Sequence, residues 1–197
     1  QELGVELIYH FDSDIPINLK GDPLRINQIL SNLVSNSLKF TEKGEIVITV
    51  YKLDEYNDKM KIGFSVKDTG IGISDSKLNT LFESFQQADT SITRKYGGTG
   101  LGLTIVKNLV MLMNGEISIE SELNVGTTIK FTIELERSEM DKTRYENFIK
   151  DLKDLKILVC DDNETFRTII ETTLQSFSLN VKTVESGFDA IEELITN

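Results

Sequence analysis

The residues able to do chemistry in this chain are concentrated between Asp68 and Leu103, a stretch reading DTGIGISDSKLNTLFESFQQADTSITRKYGGTGLGL. Two glycine clusters bound it, Gly70-Ile71-Gly72 and Gly97-Gly98-Thr99-Gly100-Leu101-Gly102. The first follows the alternating run Lys61 to Val66, so it lies just past a strand. The second opens an apolar-periodic helix expected from about Leu101 to Met113. Glycines ahead of a helix let backbone approach a ligand closely, and the unpaired N–H groups of the first turn favour an anion. A phosphate-bearing ligand is therefore expected. The run lacks the Gly-Lys-Ser/Thr ending of a P-loop, and its spacing does not match the dinucleotide fingerprint. Either cluster alone would be explained by loop-closing turns; the two in this order, led by Asp68, are not.

A second set lies upstream. Asp22 as N-cap and Pro23 at the first helical position start a helix on which Ile26, Ile29, Leu30, Leu33, Ser37 and Phe40 recur at helical spacing. Asn32, Asn36 and Lys39, spaced i, i+4, i+7, share another face of it. Such a stripe fits a solvated polar surface. It also fits a Mg²⁺–phosphate site, because a neutral asparagine oxygen can complete a Mg²⁺ shell and a lysine adds a point charge for phosphate oxygens.

These groups need a sheet to hold them. Val5, Leu7, Tyr9 and Phe11 alternate and read as a strand, and Ile15 to Lys20 as a second. Glu45–Leu53 and Lys59–Lys67 are strands joined by a charged turn around Asp54–Asp58. Ser74 to Leu81 reads as a short helix capped by Ser74 or Asp75. Gln86 to Tyr96 has no period and no core anchors, as expected of a lid. Glu116–Glu120 and Thr127–Leu135 form a hairpin across Asn124-Val125-Gly126. The expected class is α+β, a two-layer α/β sandwich with helices on one face of a mixed sheet. Charged residues dominate from Glu136 to about Asp154, where Tyr145, Phe148, Ile149 and Leu152 suggest a partly helical linker. A strand and the acidic pair that follows it within Leu155–Asn163, a helix at Glu164–Phe177, a strand at Leu179–Val184 and a helix opening near Gly187 follow.

Composition narrows the function classes. A chain of 197 residues is long enough for one domain with a core and part of another. With 39% hydrophobic and 27% charged residues it reads as soluble and globular. A net charge of −11 argues against nucleic acid as a partner. Neither a membrane-length apolar run nor a signal peptide is visible. Cys160, the single cysteine, suits a reducing cytoplasm and reads as a small buried residue of its strand. His10, the only histidine, reads as a structural residue of the first strand.

The DTGIGI run, the Phe82…Phe85 pair, RKYGGTGLGL and the upstream NLVSNSLKFT together resemble the ATP-binding catalytic domain of sensor histidine kinases, within the GHKL (Bergerat-type) ATPases. The resemblance covers residues 1 to about 136. It implies ATP and Mg²⁺, with Asn36 as the Mg²⁺ ligand and Asn32 and Lys39 beside the phosphates. Asp68 would accept a hydrogen bond from the exocyclic amine of adenine; guanine presents a carbonyl oxygen there and would leave the carboxylate unpaired. Thr127 is placed near the same edge, Phe40 against the ring, and Gly70 and Gly72 in a tight turn around the base. Gly98, Thr99, Gly100, Leu101, Gly102 and Leu103 would wrap the phosphates. Arg94 and Lys95 are candidates for the γ-phosphate, and Tyr96 for the nucleotide or for anchoring the lid. Ser37 stands where the family more often has alanine. Residues 155–197 resemble the first half of a response-regulator receiver, with Asp161 and Asp162 as part of an incomplete Mg²⁺ site.

The implied organisation is a catalytic domain at 1–136, a linker at 137–154 and an incomplete receiver at 155–197. The implied activity is that of a hybrid sensor histidine kinase in a two-component phosphorelay. The phosphoacceptor histidine is expected on an upstream hairpin outside this chain, and the receiver's phosphoacceptor aspartate beyond its end. Expected partners are that hairpin and a receiver or response regulator, in a homodimer that is cytoplasmic or anchored to a membrane elsewhere. Two alternatives are a non-catalytic nucleotide-sensing module and another GHKL ATPase.

Overall fold

The computed structural model describes residues 4–16, 18–78, 102–138 and 155–196. By internal contacts the chain divides into two compact units, residues 1–10 with 19–138, and residues 11–18 with 139–197.

The first unit is built on a mixed order of strands and helices. These are β1 (Val5–Phe11), β2 (Leu19–Lys20), α1 (Pro23–Phe40), β3 (Gly44–Tyr56), β4 (Lys59–Asp68), α2 (Asp75–Leu78), α3 (Gly102–Leu112), β5 (Ile117–Glu122) and β6 (Gly126–Arg137). The sheet runs β1-β3-β4-β6-β2, and β5 also pairs with β6. The three long central strands are antiparallel neighbours, with Phe64 directly opposite Phe131 and their rings stacked at 4.7 Å. One face of these strands is apolar: Ile46, Ile48, Val50, Met60, Ile62, Phe64, Val66, Ile129, Phe131, Ile133 and Leu135 are buried. Helices α1 and α3 cover it with Ile29, Leu33, Val106 and Val110, all fully buried. This is the expected two-layer α+β sandwich. No helix among the described residues is long and apolar enough to cross a membrane.

Helix α1 begins as expected. The Asp22 carboxylate accepts from the backbone N–H groups of Leu24 and Arg25, each at 3.1 Å, and Pro23 follows it. The loop joining β3 and β4 is shorter than expected, because Asn57 (φ 47°) and Asp58 (φ 60°) make a two-residue turn with both central residues left-handed. Helix α3 stops at a left-handed Asn114 (φ 54°), with the Gly115 N–H returned to the Val110 carbonyl at 3.0 Å.

Two expectations need correction. Ile15–Lys20 is not one strand; Ile15 closes a turn on Asp12, Pro16 offers no donor, and among the described residues there only Leu19 and Lys20 pair, with Arg137 and Glu136. The expected strand β1 is present, with Ile8 as its buried residue and Leu7, Tyr9 and Phe11 on the exposed side. Cys160 is exposed. Residues 79–81 of the expected short helix, the lid and the linker helix lie outside the described residues.

The second unit contains β7 (Lys156–Cys160), α4 (Glu164–Ser176), β8 (Asn180–Val184) and α5 (Gly187–Thr196). Strands β7 and β8 pair in parallel. Asn163 caps α4 by accepting from the Phe166 N–H at 2.8 Å. Leu179 is the one buried hydrophobic residue among the described residues from 155 to 196, and Phe188, Ile191, Leu194 and Ile195 are exposed on α5.

Candidate nucleotide site

Asp68 is the last residue of β4, flanked by Ile46 of β3 and Thr127 of β6, and it is only 7% exposed. A buried carboxylate is costly unless its oxygens are hydrogen-bonded. Here Oδ1 accepts from the backbone N–H of Gly70 at 3.0 Å and of Thr127 at 3.2 Å, and Oδ2 accepts from the Ser37 hydroxyl at 2.9 Å. An ionised carboxylate has about four acceptor directions, so one remains open at Oδ2.

The chain that leaves Asp68 is fastened on both sides. The Ile71 N–H donates to the Phe40 carbonyl at the end of α1 (3.1 Å), and the Asn124 N–H to the Ile71 carbonyl (2.8 Å). Ser121 of β5 accepts from the Ile73 N–H at 2.8 Å, donates to the Gly126 carbonyl at 2.9 Å, and lies 2.9 Å from the Thr127 hydroxyl. The glycines serve this packing. A Cβ on Gly70 would stand 2.4 Å from the Phe40 carbonyl oxygen, and one on Gly72 (φ 63°) 1.9 Å from that of Glu122. Both glycines are therefore required by neighbouring backbone.

The polar stripe of α1 meets the start of α3. A Cβ on Gly102 would lie 3.3 Å from Asn32 Oδ1 and 3.9 Å from Asn36 Nδ2. Asn32 donates to the Gln28 carbonyl at 2.8 Å. The Asn36 side chain, half-buried, makes no hydrogen bond to another described residue. The Lys39 ammonium sits over the Phe40 ring, 5.0 Å from its centroid. Leu103 lies within α3.

The structure thus gathers Asp68, Gly70, Gly72 and Thr127 at the end of β4, and Asn32, Asn36 and Gly102 where α1 meets α3. Ser37 joins the two groups, adjacent to Asn36 in sequence and bonded to Asp68. Arg94, Lys95, Tyr96, Gly98, Thr99, Gly100 and Leu101 lie outside the described residues. Sequence reasoning missed the roles of Ser37 and Ser121, and of Thr41, whose buried hydroxyl has no hydrogen-bond partner among the described residues. For Ser37 a signal existed: a hydroxyl at a position whose helical spacing is otherwise apolar.

In the second unit Asp161 Oδ1 accepts from the Asn163 N–H at 2.9 Å, and the Asp161 carbonyl accepts from Arg167 at 2.7 Å. Asp162 is exposed. Among the described residues no group of three or more His, Cys, Asp or Glu stands close enough to hold a metal ion. An open cavity of about 330 Å³ lies at the opposite end of β4 from Asp68, lined by Lys20, Lys59, Asn114, Glu134 and Glu136 among others.

Comparison with known proteins agrees with this fold. Residues 21–137 match the family described as histidine kinase-, DNA gyrase B- and HSP90-like ATPase. The autoinducer 2 sensor kinase/phosphatase LuxQ of Vibrio vulnificus (strain YJ016) is 40% identical over 98% of this chain and 23% of its own length. The signal transduction histidine-protein kinase BarA of Escherichia coli (strain K12) is 50% identical over 68% of this chain and 14% of its own. The chain therefore spans about a quarter or less of these relatives. Full-length ShkA, solved in complex with AMPPNP, superposes with a TM-score of 0.75 at 26% identity, over 97% of this chain and 37% of its own. With its family match covering more than half of the residues, the chain belongs to the histidine kinase-, DNA gyrase B- and HSP90-like ATPases.

Proposed function

We propose that this chain binds Mg²⁺-ATP and transfers the γ-phosphate to a histidine on a helical hairpin of a hybrid sensor kinase. The observation that carries the reading is Asp68: a buried carboxylate with three donors in place and one acceptor direction open, which suits a single N–H of the adenine 6-amino group. The nucleotide of the ShkA structure, AMPPNP, agrees with adenine. The donor set at α1 fits Mg²⁺ as well, since the Asn36 amide is uncommitted among the described residues and half-buried.

In this reading Asp68 and Thr127 hold the base edge, Phe40 contributes its ring, and Asn32, Lys39 and the start of α3 at Gly102 face the phosphates. Mg²⁺, held by Asn36 together with phosphate oxygens, supplies positive charge against the charge that develops during transfer. Arg94 and Lys95 add cations from the lid, Tyr96 anchors it, and Gly98 to Leu101 wrap the phosphates. Phosphoryl transfer depends mostly on positioning, so the acceptor must be brought in line by its own segment. His10 is not that acceptor, since it lies within β1. The proposed organisation is a catalytic domain at 1–136, a linker at 137–154 and a receiver portion at 155–197 with Asp161 and Asp162 in its Mg²⁺ site. The parallel pair β7–β8 and the exposed apolar side of α5 suit a portion that further receiver elements would cover. The full protein is expected to be a homodimer with this part in the cytoplasm, passing phosphate to a receiver or response regulator.

The test is incubation with γ-labelled ATP, with and without a purified histidine-bearing hairpin. Label that is acid-labile and confined to the hairpin is the expected result. Acid-labile label on His10 would overturn the assignment, and rapid ATP turnover without any hairpin would favour a free ATPase.

A further inference from the structure

We infer that Ser37 is the residue that sets the strictness of adenine recognition, by occupying one of the two acceptor directions of the second oxygen of the Asp68 carboxylate. The inference rests on the nucleotide reading above and deepens it. The two backbone donors, Gly70 and Thr127, both bind Oδ1; because the carboxylate is planar they fix where Oδ2 lies, but they fill none of its acceptor directions. Among the described residues Oδ2 has one partner, the Ser37 hydroxyl at 2.9 Å. Ser37 is 6% exposed and Asp68 7%, so bulk water does not compete freely for this contact.

Two consequences follow from the donor count. With Ser37 in place, Oδ2 has one open acceptor direction, and a purine bearing a 6-amino N–H completes the carboxylate. Without the hydroxyl, Oδ2 stays in place but has two open acceptor directions. One of them can take a water or another donor, and the 6-amino group is no longer the unique way to satisfy it. Ser37 thus acts through Asp68, as a positioning residue. Its place on α1 is fixed by the flanking packing: Leu33, one turn earlier, is fully buried, and Asn36 precedes it on the phosphate-facing stripe. Base recognition and phosphate binding are consequently set by adjacent residues of one rigid helix.

The experiment compares Mg²⁺-ADP with purine riboside 5′-diphosphate, which lacks the 6-amino group, by calorimetry on the wild-type chain and on Ser37→Ala. The substitution removes one oxygen from a helix interior where alanine is well tolerated, and thermal melting verifies the fold. We expect Ser37→Ala to weaken ADP by about fivefold, a typical cost of loosening one hydrogen bond to a charged group, with purine riboside diphosphate unchanged. Ser37→Cys, similar in size but a weak donor, should fall between. A wild-type preference for ADP that survives Ser37→Ala intact overturns the assignment. So does an equal weakening of both nucleotides, which would mark a packing role alone. A wild-type chain that binds the two nucleotides alike would instead refute the adenine reading of Asp68, and the role of Ser37 with it.

Discussion

Two strands of this protein run out into aspartates, and the two ends are built differently. Strand β4 ends at Asp68 inside a six-stranded sheet, with β3 and β6 on either side and α1 above, and the carboxylate is buried with three donors. Strand β7 ends at Cys160, before Asp161 and Asp162, in a two-stranded sheet where Cys160 and Asp162 are exposed and the Asp161 side chain turns to its own loop. An acidic residue after a strand is the same sequence feature in both places. Only the first is walled in by enough structure to remove water, and removal of water makes a carboxylate discriminating, because an unpaired group there is costly.

The comparison is most exposed to Asp68→Asn. An amide keeps the shape but turns one acceptor into a donor facing Ser37 or the base, so adenine nucleotides should weaken by about 1–3 kcal/mol. Asp162→Asn, at an exposed position, should leave that affinity alone. Calorimetry on both variants decides it, and equal affinities for Asp68→Asn and wild type would remove the distinction between the two ends. A somewhat smaller effect is expected at Asn36→Ala, which should erase the roughly tenfold share of affinity that one metal contact supplies and leave metal-free binding intact. Titrations with Mg²⁺ and with EDTA measure the two parts. Asn163→Ala removes the α4 cap and should destabilise the second unit by about 1 kcal/mol. Hydrogen exchange should show the loss in α4 and leave β4 protected; a uniform loss would mean the units unfold together.

The smallest effect is at the far end of β4. The Tyr56 hydroxyl hydrogen-bonds to Glu134 and, with Lys59 and Asn114, holds the Glu134 carboxyl below its usual range; the same bond raises the Tyr56 phenol. For a lowered carboxyl, the contribution is present above its unfolded pKa and fades as pH falls through the folded one. For a raised phenol, it is present below the unfolded pKa and fades as pH rises through the folded one. Tyr56→Phe should therefore flatten the melting-temperature profile slightly on both the acid and the alkaline limbs. An unchanged profile would show that this exposed pair contributes nothing measurable.

Much of the site was legible before the fold was known, and the reasons are local. Asp22 and Pro23 fix where α1 starts, and from that start the helical period alone puts Asn32, Asn36 and Lys39 on one stripe. Alternation identified β3, β4 and β6, and with them the position of Asp68. What could not be read depended on partners distant in sequence. Alternation in β1 shows a strand but not which side faces the helices, and the more apolar side, with Leu7, Tyr9 and Phe11, turned out to be the exposed one. Cys160 ends a strand whose sheet has only two members, so a small apolar residue there is not covered. Ser37 and Ser121 acquire meaning only from Asp68 and Ile73, which lie on other elements.

The donors that satisfy Asp68 come from residues 37, 70 and 127, on a helix, a loop and the final strand of the sheet. Closing such separations is among the slow steps of folding, since loop entropy must be overcome before distant contacts reward it. The carboxylate therefore stays incomplete through early collapse, and during synthesis its third donor does not exist until Thr127 has been added. If Asp68 reads the base as proposed, base recognition matures late: an intermediate with α1, β3 and β4 already docked would still carry a half-solvated aspartate, and nucleotide would select the finished fold over it.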